Sequence, residues 1–252
     1  MEIPNVKMSH QSRIFSDLSK ILEDRISVIK SSEGSGDGGG IAMFYGHLLE
    51  RLDFQEHESI KSEFLTESKA QDYSNMLKYF DHSYWFESKI DIIRKLNLQS
   101  SPTLDILDIG TGAGHFPVLA RYFGHNVWGA NLPRKMLRPK DGERHFYHVM
   151  CDYFDLSCFE LAISPNEAIS GIDKRFDLIT CLMTEFNTIA GNPWSEKEWS
   201  FFIDDVKNSI LKPGGRVFLQ LTNGKLTHDS WSFIKSVSEW SEDDQKYALI
   251  SC

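Results

Sequence analysis

Leu107-Asp108-Ile109-Gly110-Thr111-Gly112-Ala113-Gly114-His115-Phe116 decides how this chain is read. The apolar run over residues 104–109 predicts a buried strand, and residues 114–123 carry the spacing of a helix. Between them stand three glycines at alternate positions. Glycine accepts backbone angles that side chains resist and lets a ligand approach the main chain closely. The helix start behind the turn offers unpaired N–H groups and the positive end of a dipole. In open α/β sheets this place, at the carboxyl end of the first strand, is where ligands bind.

A dinucleotide site would read G-x-G-x-x-G, with its third glycine at position 115 and an acidic residue roughly 20 positions on. Position 115 is His115, and the second position is met by Asn131. Both marks of a pyrophosphate-and-ribose site fail. A P-loop is also absent: the glycine-rich stretch 31–40 is followed by Ile41-Ala42 rather than Lys-Ser/Thr.

Outward from the turn, short apolar runs alternate with helical stretches. Strands are predicted over 104–109, 126–130, 146–151, 176–182 and 216–221, with a last one over 247–251. Helices are predicted over 114–123, from 134, over 195–211 and over 229–240. Such alternation implies right-handed crossovers and a parallel sheet covered on both faces. Residues 1–103 differ. Helical spacing of Ile14, Phe15, Leu18, Ile21, Leu22 and Ile29 predicts an amphipathic helix over 9–30. Residues 31–40 read as a flexible linker, and helices follow over 41–53, 58–70 and 72–97. The last is rich in aromatics, Tyr73, Tyr79, Phe80, Tyr84, Trp85 and Phe86, a composition for core or for the wall of a pocket. The expected fold is α/β: a doubly wound, mostly parallel, Rossmann-like sheet over 104–252, with a helical N-terminal region or lid over 1–103.

The turn resembles motif I of the class I S-adenosylmethionine-dependent methyltransferases, acidic-x-Gly-x-Gly-x-Gly, matched by Asp108, Gly110, Gly112 and Gly114. Further pieces look like the same family in order. Val127 to Leu132 resembles its second-strand motif, Cys151-Asp152 its third, Phe176 to Ile179 the start of strand four, and Leu211 to Val217 the turn before strand five. The resemblance covers residues 104–222 and implies S-adenosylmethionine as cofactor and S-adenosylhomocysteine as product. It implies that Gly110, Thr111, Gly112 and Gly114 admit the methionine and ribose portions, and that Asp108 orients the loop or meets the methionine end. Asn131, with Leu132 beside it, would meet the ribose hydroxyls, Asp152 the adenine amino group with Tyr153 beside the ring, and residues Cys181 to Phe186 the methyl group and acceptor.

Two departures stand out. The family carries Asp or Glu where Asn131 stands. A carboxylate accepts from two hydroxyls where an amide offers one oxygen, so the exchange predicts binding about tenfold weaker and Asn131→Asp as a tightening change. The residues after 222 leave room for a helix and a strand but hardly for a closing hairpin, which predicts a missing final strand or a truncated chain.

Glu185, just after the fourth strand, is a candidate base or holder of a substrate cation; the plainer alternative is a solvent-facing carboxylate. His115 is a candidate catalytic imidazole or simply the first residue of a helix, and His82 is a third candidate. Asn192-Pro193-Trp194 lacks the second proline and the position of an amino-methylation motif and reads as a turn. Arg134, Lys135, Arg138 and Lys140 read as a solvated face.

The 252 residues are 41% hydrophobic and 25% charged, with net charge −9. This composition excludes global disorder and a disulfide scaffold, and its acidity argues against nucleic acid as a partner. No apolar run is long enough to span a membrane, and the N-terminus lacks a signal-peptide core, which predicts a cytoplasmic protein. Cys151, Cys158, Cys181 and Cys252 show no metal-ligand spacing, so no metal site is expected. The expected function is methyl transfer to a small-molecule acceptor. The alternatives are a turnover-deficient protein of the same fold that binds or assembles with a partner, and a methyltransferase acting on protein or RNA. The sequence carries no mark of oligomeric state.

Overall fold

The computed structural model describes residues 17–31, 38–64, 78–136, 145–188, 190–222, 224–244 and 246–252. Ile14, Phe15, Tyr73, Arg138, Lys140 and most of the glycine-rich stretch lie outside them. The chain divides into two compact units. One holds the described residues up to Gln99 together with Asp152–Asp155; the other holds Ser100–Cys151 and Leu156–Cys252.

The first unit is helical. α1 (Leu18–Ser31) buries Leu18, Ile21, Leu22 and Ile29, the apolar stripe predicted by its spacing. α2 (Gly38–Arg51) starts inside the predicted linker, because its glycines occupy a first turn whose N–H groups have no helical partner in any case. α3 (Phe54–Phe64) is capped by Asp53, whose carboxylate accepts from the N–H groups of Gln55 and Glu56 at 2.9 and 3.0 Å. α4 (His82–Lys95) begins at Asp81, which accepts from the Tyr84 N–H.

The second unit is the sheet. Its strands are β1 (Asp105–Ile109), β2 (Asn126–Asn131), β3 (Cys158–Glu160), β4 (Phe176–Leu182), β5 (Leu211–Gln220), β6 (Trp240–Glu242) and β7 (Tyr247–Ser251). Their order is β3-β2-β1-β4-β5-β7-β6, with β7 antiparallel to both neighbours and the pairs from β3 to β5 parallel. The flanking helices are α5 (His115–Tyr122), α6 (Phe146–Tyr153), α7 (Glu196–Ser209) and α8 (His228–Ser236). The chain winds one way from β1 to β3 and the other way from β4, so the winding reverses between β1 and β4, the place where open α/β sheets bind ligands. At the amino ends, Lys212 Nζ lies 2.9 Å from Asp105 and 2.8 Å from Asp177, pinning β5 to β1 and β4.

The structure corrects three expectations. Residues 146–151 are not a strand: they form most of α6, where Phe146, Val149 and Met150 are buried at helical spacing. The third strand is instead Cys158–Glu160 at the sheet edge, with Cys158 and Phe159 half-buried and Glu160 exposed. The final strand is present, not missing. α8 ends after nine residues and β6 takes three, and β7 pairs antiparallel with β6, so the hairpin fits. Pro213-Gly214-Gly215 lies within β5 as an irregularity, with the register shifting between Phe176–Leu211 and Leu178–Arg216. Among the described residues no helix is long and apolar enough to cross a membrane, and no group of three or more metal-ligating side chains is found.

Candidate functional site

Asp108, the penultimate residue of β1, is buried beneath the glycine turn. Its carboxyl accepts from the Thr180 hydroxyl at 2.6 Å and from the Thr111 hydroxyl at 3.1 Å. Thr111 Oγ1 also donates to the Asp108 carbonyl at 2.6 Å and accepts from the Ala130 N–H at 3.2 Å. Thr180 is the one hydroxyl in the apolar run of β4, aligned with Asp108 across the sheet. Asp108 thus orients the loop from below. Orienting the loop is one of the two roles the resemblance implied.

Above it the main chain turns back on itself. The N–H groups of Gly110 and Thr111 both donate to the Ala130 carbonyl, at 2.8 and 3.1 Å. Gly114 N–H donates to the Thr111 carbonyl at 3.2 Å, and Gly112 N–H to the Asn131 side chain at 2.9 Å. Gly110, Gly112 and Gly114 all take positive φ, at 75, 59 and 86°. Side chains close in on two of them. Thr184, just past β4, donates to the Ile109 carbonyl at 2.8 Å and fills the space a Cβ on Gly110 would need. The Tyr147 ring of α6 stands 3.7 Å from where a Cβ on Gly112 would lie.

The structure therefore brings Asp108, Gly110, Thr111, Gly112, Gly114 and Asn131 into one constellation. The other candidates fall elsewhere. Cys181 is wholly buried in β4, and burial, with Asp108 nearby, holds its thiol protonated; it belongs to the core and not to a ligand-facing surface. Asp152 is exposed on the last turn of α6 and not at a strand end. Tyr153 packs in the helical unit, 5.6 Å from the His57 ring, and burial raises its phenol well above the usual range. The places of Asp152 and Tyr153 follow from residues 146–153 being a helix and not a strand. Leu132 is exposed, with its carbonyl 3.2 Å from His148 Nε2. Glu185 is exposed and 3.3 Å from Lys225. His115 is buried in the first turn of α5, and His82 is buried in the helical unit with its Nε2 3.0 Å from His57 Nε2. Asn192-Pro193-Trp194 closes a small loop: Pro193 pairs with Asn187, whose carbonyl accepts from the buried Trp194 indole at 2.9 Å.

Sequence reasoning missed two residues around the turn, Thr180 and Tyr147; Thr184 and Met183 lie in the stretch Cys181 to Phe186 that the resemblance set beside the methyl group and acceptor. Thr180 had a signal, as the lone hydroxyl in a buried strand. Met183 is exposed at φ 59°, a left-handed conformation uncommon for a non-glycine, with its N–H donating to the Gln220 carbonyl at 2.7 Å. Near the edge of the site, burial with His148 alongside lowers the His145 imidazole to about 4.

No protein-family model matches the chain, and no curated protein is found similar to it. Among solved structures, a TehB-like S-adenosylmethionine-dependent methyltransferase from Corynebacterium glutamicum is 18% identical, over 73% of this chain and 95% of that one, at a TM-score of 0.43. An S-adenosylmethionine-dependent methyltransferase from Clostridium acetobutylicum is 20% identical, over 69% and 63%, at 0.40. The amino pentose methyltransferase CalS10 from Micromonospora echinaspora is 21% identical, over 55% of this chain and about half of its own length (51%), at 0.38. At such identities and TM-scores these likenesses carry no functional weight.

Proposed function

We propose that the chain binds S-adenosylmethionine at the glycine turn and transfers its methyl group to a small-molecule acceptor, in the cytoplasm. One observation carries this reading: the N–H groups of Gly110, Thr111, Gly112 and Gly114 are all donated within the protein. A pyrophosphate is held by main-chain donors that point outward, and this turn has spent four of its own. A sulfonium nucleoside asks for something else. Its ammonium and sulfonium groups are cationic, so they favour carbonyl oxygens and a nearby carboxyl, and its body needs close approach to the backbone. The three glycines supply the approach, and Asp108 lies directly beneath them. These features fit the cofactor.

When bound, the cofactor supplies an electrophilic methyl carbon. The protein's part is to align a nucleophile with that carbon and keep water out. Thr184 holds the end of β4 against the turn, and Met183 presents an apolar side chain next to it. Glu185 and His115 are the candidate bases for an acceptor that must lose a proton.

A second reading, a binding protein without turnover, is favoured by the Tyr147 ring close to Gly112 and by the engagement of Asn131 within the turn. One assay separates the two. Incubation with S-adenosylmethionine and a panel of small hydroxyl and amine acceptors is expected to release S-adenosylhomocysteine with at least one of them. Cofactor binding without product from any acceptor would favour the second reading.

A further inference from the structure

Asn131 ends β2, and its main-chain carbonyl accepts from the Leu161 N–H at 2.8 Å, continuing the sheet toward β3. Its side chain is buried and turned toward the glycine turn. Oδ1 accepts from the Gly112 N–H at 2.9 Å, while Nδ2 donates to the Gly112 carbonyl at 3.2 Å. The two bonds pair the side-chain amide with both polar groups of a single glycine. Cys151 of α6 backs the pair, its Sγ 3.5 Å from Nδ2 and 3.7 Å from the same carbonyl.

We infer that Asn131 is a positioning residue, an amide clamp that fixes Gly112 and so shapes the turn before any ligand arrives. Three points on the molecule support this. Both groups of Gly112 are engaged by one side chain. Gly112 is held at φ 59°, a conformation with many alternatives open to glycine unless something constrains it. The clamp is buried, where its hydrogen bonds meet little competition from water. The residue type then follows from the chemistry. At neutral pH the amide offers a donor and an acceptor side by side, whereas an ionised carboxylate offers acceptors alone and would set an oxygen against the Gly112 carbonyl. The clamp makes Asn131→Asp a loosening change, the reverse of what the resemblance to ribose-binding acids implies. Its consequence for cofactor affinity rests on the proposed function; the clamp itself does not.

The test uses the full chain, labelled for amide detection. Without ligand, the Gly112 amide is expected to exchange slowly in the wild type and at least about tenfold faster in Asn131→Ala, which removes the acceptor of its N–H, the loss of roughly one hydrogen bond. Titrated with S-adenosylmethionine, Asn131→Asp is expected to bind about tenfold more weakly at neutral pH. Its affinity should recover as the introduced carboxyl is protonated at lower pH and regains a donor, a pH profile that general destabilisation would not give. Rapid exchange of Gly112 in the wild type, or tighter binding by Asn131→Asp, would overturn the inference. A wild type that binds no S-adenosylmethionine would sink the proposed function, and the exchange measurement would still judge the clamp.

Discussion

A methyl group added to Gly110 meets Thr184 at once, its Cγ2 only 2.9 Å away and its hydroxyl nearer still. The position also sits at φ 75°. The left-handed conformation costs an alanine about 1–2 kcal/mol, and the collision adds about 1–3 kcal/mol. Gly110→Ala should therefore lower unfolding stability in urea by about 2–5 kcal/mol. Thr184→Ala in the same chain should recover the steric part, giving a coupling of about 1 kcal/mol or more in a double-mutant cycle. Additive losses would show that Thr184 does not close the turn. The glycines and Asp108 were legible in the sequence, because backbone freedom and spacing are local properties. The partners were not. Thr180, Thr184 and Tyr147 arrive from β4, the loop beyond it and α6, and only the assembled sheet sets them against Asp108, Gly110 and Gly112. Asn131 was legible as a position and misread as a role, since nothing in its neighbours along the chain shows that its amide turns back to Gly112.

Among the elements, α6 gave the clearest misreading. Phe146 to Cys151 is short, apolar and aromatic, which suits a buried strand as well as one face of a short helix; Val149 and Met150 repeat Phe146 at helical spacing, but over only two turns. β3 escaped notice because a three-residue edge strand carries almost no pattern. Long elements fared better: β4 and β7 match their predicted bounds, and α7 departs by one residue at its start and two at its end. In the helical unit, α3 and α4 contribute the buried His57–His82 pair. Burial lowers the His57 imidazole from 6.5 to about 4; Glu58, 3.5 Å from Nδ1, opposes this, and Lys61 reinforces it, while Asp17 favours the proton weakly. A base with a lowered folded pKa stays neutral as the unfolded chain takes up protons. Its stabilising contribution is complete above pH 6.5 and drains away as pH falls toward about 4. The loss is on the order of 3 kcal/mol at most. Unfolding measured across that window should show stability falling, and His57→Phe should flatten the slope. Equal slopes in the two proteins would remove His57 as the cause.

For the whole molecule, strand order matters more than any single motif. The sheet β3-β2-β1-β4-β5-β7-β6 places the turn after β1 beside the reversal in winding, and β7 enters antiparallel between β5 and β6. Its parallel part was legible because alternating apolar strands and amphipathic helices leave few other topologies. The closing hairpin was not, because the helix expected over 229–240 ends at Ser236 and frees the residues for β6, whose three residues carry almost no pattern. What the turn can hold follows from its inward-directed N–H groups, and that is open to direct measurement. Isothermal titration of the full chain with S-adenosylmethionine, S-adenosylhomocysteine and NAD is the decisive comparison. Saturable binding of the two sulfur nucleosides, with no heat of binding from NAD, is the predicted result. Binding of NAD with neither sulfur nucleoside taken up would contradict it.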